Sequence, residues 1–329
     1  MPTDPDVLNQ ILDTVRRYVS ERLIPAEDEV RLVFELGSAA PAFRSAAGTN
    51  IGIGSQSIVI SGTDEQKQHY LPKLATGEVV GSFCLTEPDA GSDAMAIRTT
   101  AVRDGDDYIL NGTKRYITNA PKAHLFTVMA RTAPERKSRS ISCFLVDAQT
   151  PGITVGPPDK KMGQSGALTS DVIFENCRVP VSALLGGEEG NGFVTSMKVL
   201  DKGRLHIAAL CTGIAARLIE ESLSYACERE QFGQKIIDFQ MIQSMIADSQ
   251  ADTYAAKNMI LDAARRRDAG ENTTLVAASA KMFASEMVGR IADRAVQIHG
   301  GAGYMSEYAV ERFYRDVRLF RIFEGTTQI

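Results

Sequence analysis

The sequence predicts an α+β chain built as an N-terminal α-helical domain (1–80), a central antiparallel β domain (81–185) and a C-terminal four-helix-bundle-like domain (186–329). Three observations predict it. Apolar residues near the start recur at helical spacing, the middle breaks into short β-rich runs between Pro and Gly turns, and after Gly186-Gly187 the helical period returns and persists.

At the start, Asp4-Pro5 reads as a cap followed by proline at the first helical position. Val7, Leu8, Ile11, Leu12, Val15, Val19 and Leu23 follow on one face, and Pro25 ends the helix. Arg31–Leu36 and Asp64–Leu74 predict further helices, the second bounded by Pro72 and Gly77. Glu27-Asp28-Glu29-Val30 runs straight into Arg31-Leu32-Val33-Phe34 with no turn residue between two helix-like stretches. In the middle, Tyr108 through Thr118 predicts two short strands around Asn111-Gly112, a two-residue hairpin signal. Leu125–Ala130, Ser142–Val146 and Val172–Val179 predict more strands, giving a small antiparallel sheet or barrel. Three long helices follow at Phe193–Glu228, Phe239–Ala269 and Thr273–Ile298. Breaks at Phe232-Gly233, Gly270 and Gly300-Gly301 separate them, as in a helical bundle.

Composition bounds the function. With 329 residues and 44% hydrophobic content the chain can bury a substantial core. Its 36 basic and 41 acidic residues leave a net charge of −5, which argues against a general nucleic-acid binder. The five cysteines (Cys84, Cys143, Cys177, Cys211, Cys227) form no C-x-x-C pair, and the four histidines lie far apart, so no metal site is expected. An acidic start and the lack of a bilayer-length apolar run point to a soluble, intracellular protein without a membrane span. A Rossmann-type dinucleotide fold is disfavoured, because Gly52 and Gly54 lack a third glycine at the required spacing and no strand–helix–strand unit surrounds them.

Three segments carry chemistry. Phe83 through Asp93 begins as a strand and turns through Pro88-Asp89 into Gly91-Ser92, crowding backbone N–H groups and hydroxyls as a site for a ring edge or a phosphate would need; alone it is more often an ordinary turn. Gln297-Ile298-His299-Gly300-Gly301-Ala302-Gly303-Tyr304 ends a long helix, where glycines normally just stop it and His299 reads first as structural. Phe323-Glu324-Gly325-Thr326-Thr327-Gln328 sets a carboxylate between an apolar and a flexible residue. That placement suits a base with a raised pKa, although such a Glu is usually solvated.

Together and in this order the three segments resemble the acyl-CoA dehydrogenase family. Cys84-Leu85-Thr86-Glu87-Pro88 through Asp93 is similar to the family's first signature. Gln297 through Glu307, continuing through Arg312 to Asp316, is similar to its second, and Glu324 through Ile329 to the loop that holds the catalytic base. The similarity covers nearly the whole chain, Arg229 through Gly233 included. It implies an FAD-dependent enzyme of fatty-acid β-oxidation that converts an acyl-CoA to a trans-2-enoyl-CoA and passes electrons to an electron-transfer flavoprotein. It would reside in the cytoplasm, or in the mitochondrial matrix of a eukaryote.

Residue by residue, the resemblance implies Phe83, Leu85 and Thr86 along the flavin's pyrimidine side. Tyr116-Ile117-Thr118 stands where the family has Trp-Ile-Thr, with the ring against one flavin face and the Thr118 hydroxyl near N5. Gly91 and Ser92 would lie near the pyrophosphate, Ser92 also near CoA. Arg229, Phe232, Gln240, Gln297, Gly300 and Gly301 would reach an FAD held mainly by a neighbouring subunit, which implies a homotetramer built as a dimer of dimers. Thr326 and Gln328 would contact the adenosine end of FAD. Asp201 and Arg204 would line the CoA channel, with Gly325 beside the substrate. Glu324 would take the α-proton as the β-hydrogen leaves as hydride.

A few members carry the base on the long helix instead, at the position of Gly203. Lys202-Gly203-Arg204 offers no carboxylate there, and Asp201 lies roughly 200° away around a helix of 3.6 residues per turn. The alternatives are an acyl-CoA oxidase that reoxidises its flavin with oxygen, usually with an extra C-terminal domain, and a non-catalytic scaffold, which Glu324 disfavours. A nitroalkane-oxidising relative would be expected to use Asp as its base.

The resemblance also implies that some tens of residues are missing between Val30 and Arg31, and that the chain continues past Ile329 into a final helix. A mass above 35.7 kDa for the intact purified protein is expected, and a mass equal to it would contradict this.

Overall fold

A computed structural model describes residues 26–133 and 139–329, with side chains from residue 30 onward. The helix expected from Asp4 to its stop at Pro25 lies outside the described residues. Four helices come first: α1 (Ala26–Leu36), α2 (Pro41–Gly48), α3 (Gly54–Ser61) and α4 (Asp64–Thr76). Helix α1 runs through Val30 and Arg31 without a break. Helix α4 begins with a capping box, Thr63 Oγ1 accepting from the Gln66 N–H while Gln66 Oε1 accepts from the Thr63 N–H, and ends on left-handed Gly77. Pro72 does not bound α4 as expected but sits inside it. The carbonyl it leaves without an i+4 donor belongs to Gln68, which is exposed to solvent.

Seven strands follow: β1 (Gly81–Cys84), β2 (Thr100–Asp104), β3 (Asp107–Thr118), β4 (Leu125–Arg131), β5 (Ile141–Asp147), β6 (Ile153–Val155) and β7 (Thr169–Pro180). They form one sheet in the order β1-β4-β2-β3-β7-β6, with β5 on β4. Pairs β2–β3, β3–β7, β4–β5 and β6–β7 are antiparallel, as expected for this domain. Strands β1 and β2 depart from that expectation, both pairing parallel with β4, and the β1–β4 pair requires the long crossover between Cys84 and Leu125.

The expected hairpin at Asn111-Gly112 is not there. Residues 107–118 form a single strand, and the turn lies earlier, between Asp104 and Asp107, with Gly105 left-handed. Asn111-Gly112 instead marks a bulge where the β3–β7 register shifts. Asn111 Oδ1 accepts from the Asn176 N–H across it at 2.8 Å, and a Cβ on Gly112 would stand 2.7 Å from the Cα of Thr99. The same residue pair that makes a two-residue turn also suits a bulge, because both need a conformation that a Cβ resists. Strands β2 and β6 were not anticipated.

The C-terminal third is helical: α5 (Gly192–Glu228), a two-stranded β8–β9 ribbon (Glu230–Gln231 and Gln234–Lys235), α6 (Gln240–Asp268), α7 (Thr274–His299) and a short amphipathic α8 (Ala309–Val317) that was not anticipated. The three long helices match their expected spans within two residues.

The described residues fall into two compact units. One gathers residues 46–159 and 168–199 and contains α3, α4 and the large sheet, with Tyr108, Leu110, Phe126, Phe144 and Phe174 in its core. The other gathers residues 26–45, 160–167 and 200–329. Its core joins Leu210, Ile214 and Leu218 of α5 to Ile260 of α6, Met287 of α7 and Phe313 of α8. Among the described residues no helix is long and apolar enough to cross a membrane.

Gly112→Ala is expected to lower stability by about 3 kcal/mol, the upper range for overpacking. Gly105→Ala, left-handed but with open space beside it, should cost about 1 kcal/mol. Denaturant unfolding of the two variants checks the order.

Candidate active site

In the helical unit, Glu324 follows the 3₁₀ turn Arg318–Arg321 that ends the α8 region. Its backbone is left-handed at φ 52°, and Gly325 follows at φ 100°. A non-glycine residue held there stores about 1–3 kcal/mol of strain. Two cations hold the loop by its carbonyls. Arg204 Nε of α5 donates to the Glu324 carbonyl at 3.2 Å, and Lys281 Nζ of α7 donates to the Gly325 carbonyl at 2.6 Å. Arg204 also pairs with Asp201 at 2.8 Å, and Asp201 accepts from the Thr274 hydroxyl.

The carboxyl itself is treated differently. Oε2 of Glu324 is buried and has no hydrogen-bond partner. The space it occupies exists because residue 203 is glycine: a Cβ there would collide with Oε2. Loss of water pushes the Glu324 pKa up, against the opposing pull of the Arg44, Lys281 and Arg204 charges. A carboxyl with one oxygen buried and unpaired, and three cations near it, is equipped to exchange a proton with a bound molecule.

In the sheet unit, β1 leads into a turn at Glu87–Ala90, whose two ends exchange backbone hydrogen bonds. Phe83 and Leu85 are buried, Thr86 half-buried, and Gly91 and Ser92 exposed, with nothing within 4 Å of a Cβ position at Gly91. Alongside, β3 loses register between Lys114 and Ile117. There Tyr116 takes φ 59° and turns its ring outward, 62% exposed, with the Arg115 guanidinium 4.7 Å from its centroid. Ile117 is buried and Thr118 half-buried beside it.

A buried ion pair braces this ledge. Lys114 is 0% exposed, and its Nζ donates to Glu87 Oε1 at 2.8 Å and to the Leu85 carbonyl at 3.2 Å. Glu87 also accepts from the Arg98 and Thr99 N–H groups and the Thr99 hydroxyl. Burial raises the Glu87 pKa, but the Lys114 charge and these donors outweigh it, so the carboxyl titrates below its usual range. The Arg115 N–H holds the Thr86 carbonyl at 2.8 Å.

A third set shares one end of the helical unit. Arg229 and Phe232 follow α5, Gln240 begins α6, and Gln297, Gly300 and Gly301 end α7; all six are exposed. Phe232 stands out, 95% exposed at φ 55°. His299 is structural, as its sequence context implied: it is buried, bonded to the Ala295 carbonyl at 2.8 Å and stacked on Tyr225 at 4.3 Å. Thr326 is half-buried and Gln328 exposed beyond the Glu324 loop. Among the described residues no three His, Cys, Asp or Glu side chains gather as a metal ion would require.

Profiles for the N-terminal, middle and C-terminal domains of acyl-CoA dehydrogenase match residues 28–78, 82–177 and 190–329. The chain is 46% identical to the caffeyl-CoA reductase-Etf complex subunit CarC of Acetobacterium woodii, over 83% of this chain and 72% of that one. This chain belongs to the acyl-CoA dehydrogenase family. A chain in the structure of the electron transferring flavoprotein of Acidaminococcus fermentans superposes with a TM-score of 0.93 at 37% identity, covering 99% of this chain and 87% of that chain. Butyryl-CoA dehydrogenase from Megasphaera elsdenii superposes with a TM-score of 0.88 at 36% identity, covering 91% and 78%.

As an acyl-CoA dehydrogenase the chain is an FAD-dependent oxidoreductase. The residues present fit that cofactor. An outward aromatic ring on a strained bulge offers a stacking face, and open space at Gly91, Gly300 and Gly301 lets backbone approach a diphosphate. Four residues of these settings had no role assigned from sequence: Arg44, Glu87, Lys114 and Lys281. Two were legible. Lys114 falls on the inward side of β3 with Tyr108 and Leu110, and Lys281 on the α7 face of Ala277, Ala280, Ala284 and Val288.

Lys114→Met is expected to destabilise the protein by about 3–5 kcal/mol, because it leaves Glu87 charged and buried without its cation. Adding Glu87→Gln should recover a large part of that loss, as read by denaturant unfolding.

Proposed function

We propose that this acyl-CoA dehydrogenase removes the α-proton and β-hydride of an acyl-CoA to give the trans-2-enoyl-CoA and passes the electrons to an electron-transfer flavoprotein. The observation that carries the reading is the Glu324 carboxyl, buried with Oε2 unpaired against the gap at Gly203. The α-hydrogen of a thioester is weakly acidic, so a base must be dry and positioned, and the developing enolate oxygen needs a donor worth about 3–4 kcal/mol. Glu324 takes the α-proton on its carboxylate, and its backbone N–H donates to the enolate oxygen. FAD, when bound, supplies the hydride acceptor.

Phe83, Leu85, Thr86, Gly91, Ser92, Tyr116, Ile117, Thr118, Thr326 and Gln328 hold that cofactor in this reading. Ser92, Asp201, Arg204 and Gly325 serve the acyl-CoA. Arg229, Phe232, Gln240, Gln297, Gly300 and Gly301 reach the FAD of a second subunit in a homotetramer, which accounts for six exposed residues at one end of a bundle. The enzyme serves fatty-acid β-oxidation in the cytoplasm. The same carboxyl run backwards returns a proton to the α-carbon, the direction named in the CarC relative.

Glu324→Gln is expected to retain FAD and acyl-CoA binding and to slow flavin reduction at least 10²-fold, roughly the lower bound for a lost general base. Because the folded pKa of Glu324 is raised, its ionised fraction and the wild-type reduction rate should climb with pH through a value above the ordinary glutamate range. Near wild-type reduction by Glu324→Gln would remove Glu324 as base. Arg229→Ala should weaken FAD retention while the subunit stays folded. An FAD-saturated, fully active monomer in sedimentation would contradict the shared site.

A further inference from the structure

Helix α7 presents a core face of Ala277, Ala280, Ala284, Met287 and Val288, and Lys281 lies on that face at 4% exposure. Burying a lysine among alanines is unfavourable unless its ammonium has a fixed partner. The partner found is the Gly325 carbonyl, one residue past Glu324, at 2.6 Å. On the preceding carbonyl, that of Glu324 itself, Arg204 Nε sits at 3.2 Å. Two cations from two helices therefore hold two successive carbonyls, at the two residues where the backbone is left-handed. The carboxyl Oε2 receives no hydrogen bond from either.

We propose that Lys281 is a positioning residue for the base: with Arg204 it fixes the left-handed turn at Glu324-Gly325, so that the carboxyl is aimed by its backbone and left free of a hydrogen-bonded cation. The inference rests on Glu324 being the base. A lysine bonded directly to the carboxylate would hold it ionised but occupy the lone pair that must receive the proton. A lysine on the adjacent carbonyl fixes the geometry and still lends its charge at a distance.

The charges facing Glu324 are Arg44 of α2, Arg204 with its partner Asp201 on α5, and Lys281 of α7; Lys281 in turn faces Cys211 of α5 and Glu286 of α7. Removing the Lys281 charge leaves Arg44 and Arg204 to offset desolvation, so the carboxyl should ionise at higher pH than in the wild type. A purely structural lysine would alter thermal stability and leave that pH dependence in place.

The test is stopped-flow flavin reduction by saturating acyl-CoA, across pH, in the FAD-loaded wild type, Lys281→Met, Lys281→Arg and Glu324→Gln. Lys281→Met is expected to slow the limiting rate 10- to 100-fold, roughly the effect of a misplaced catalytic group. It should also move the acidic limb upward, with the half-saturating substrate concentration little changed. Lys281→Arg, which keeps the charge but alters the reach, should return the limb to its wild-type position with a reduced rate. An unshifted limb and an unchanged rate in Lys281→Met would overturn the proposal, as would a limb in Lys281→Arg displaced as far as in Lys281→Met. If Lys281→Met does not fold, Lys281→Arg decides alone, since a wild-type rate there overturns the positioning role. Glu324→Gln separates the two claims: rapid reduction by that variant removes the base assignment itself, whatever Lys281 does.

Discussion

The helical unit is organised around one constraint, a carboxyl kept dry without a hydrogen-bond partner on Oε2. Leaving such a group unsatisfied costs about 1–3 kcal/mol or more, so its surroundings must be built to tolerate it. Gly203 opens the volume, and a left-handed backbone at Glu324 aims the side chain into it. Arg204 and Lys281 hold the strained turn by its carbonyls rather than by its carboxyl. Phe323 packs against the core beside Phe320, at 5.6 Å between ring centroids, so the loop cannot simply swing to water. The gap at Gly203, the left-handed turn and the unpaired oxygen are each unfavourable for folding alone. Together they fit the proposed role of Glu324 as the base.

The sheet unit contains the opposite solution to the same problem. Glu87 is also buried, but every visible feature around it satisfies the charge: the Lys114 ammonium, two backbone N–H groups and the Thr99 hydroxyl. Its pKa falls where that of Glu324 rises. Two glutamates of one chain are thus driven apart by surroundings alone, one locked as a structural anion and one left able to change protonation. Lys114 also donates to the Leu85 carbonyl, which fixes the strand end next to Thr86.

The three long helices and most strands were legible in the sequence, because their apolar periods run long enough to outweigh local ambiguity. Strands β2 and β6 were not, being short and half-exposed, and α8 was hidden by its nine-residue length. Asn111-Gly112 misled for a physical reason: a glycine conformation signals either a turn or a bulge, and only the pairing with Thr99 and Asn176 decides between them. Pro72 misled because a proline near a helix end loses a hydrogen bond that water can replace. At the site, the motifs pointed to Glu324, Tyr116 and Phe232. Lys281 was legible only as a charge on an apolar helix face, and Arg44 not at all, because both act from other elements and nothing local in sequence ties them to residue 324.

Backbone strain draws a further line between structural and reactive positions. Among the described residues the non-glycine positions with positive φ are Tyr116, Asn119, Gln164, Asn176, Phe232 and Glu324. For three of these the folded chain supplies its own reason. Asn119 donates to the Ala46 carbonyl, Asn176 is held by Asn111, and Gln164 is bound through its main chain and side chain to Asp316 and Ser45. The other three give the fold little in return. Tyr116 and Phe232 turn aromatic rings to the outside, and Glu324 holds an unpaired oxygen. Strain at side chains left without protein partners is what a ligand or a second chain that completes the contacts would offset. These three residues fall in the segments that resemblance to the family had singled out.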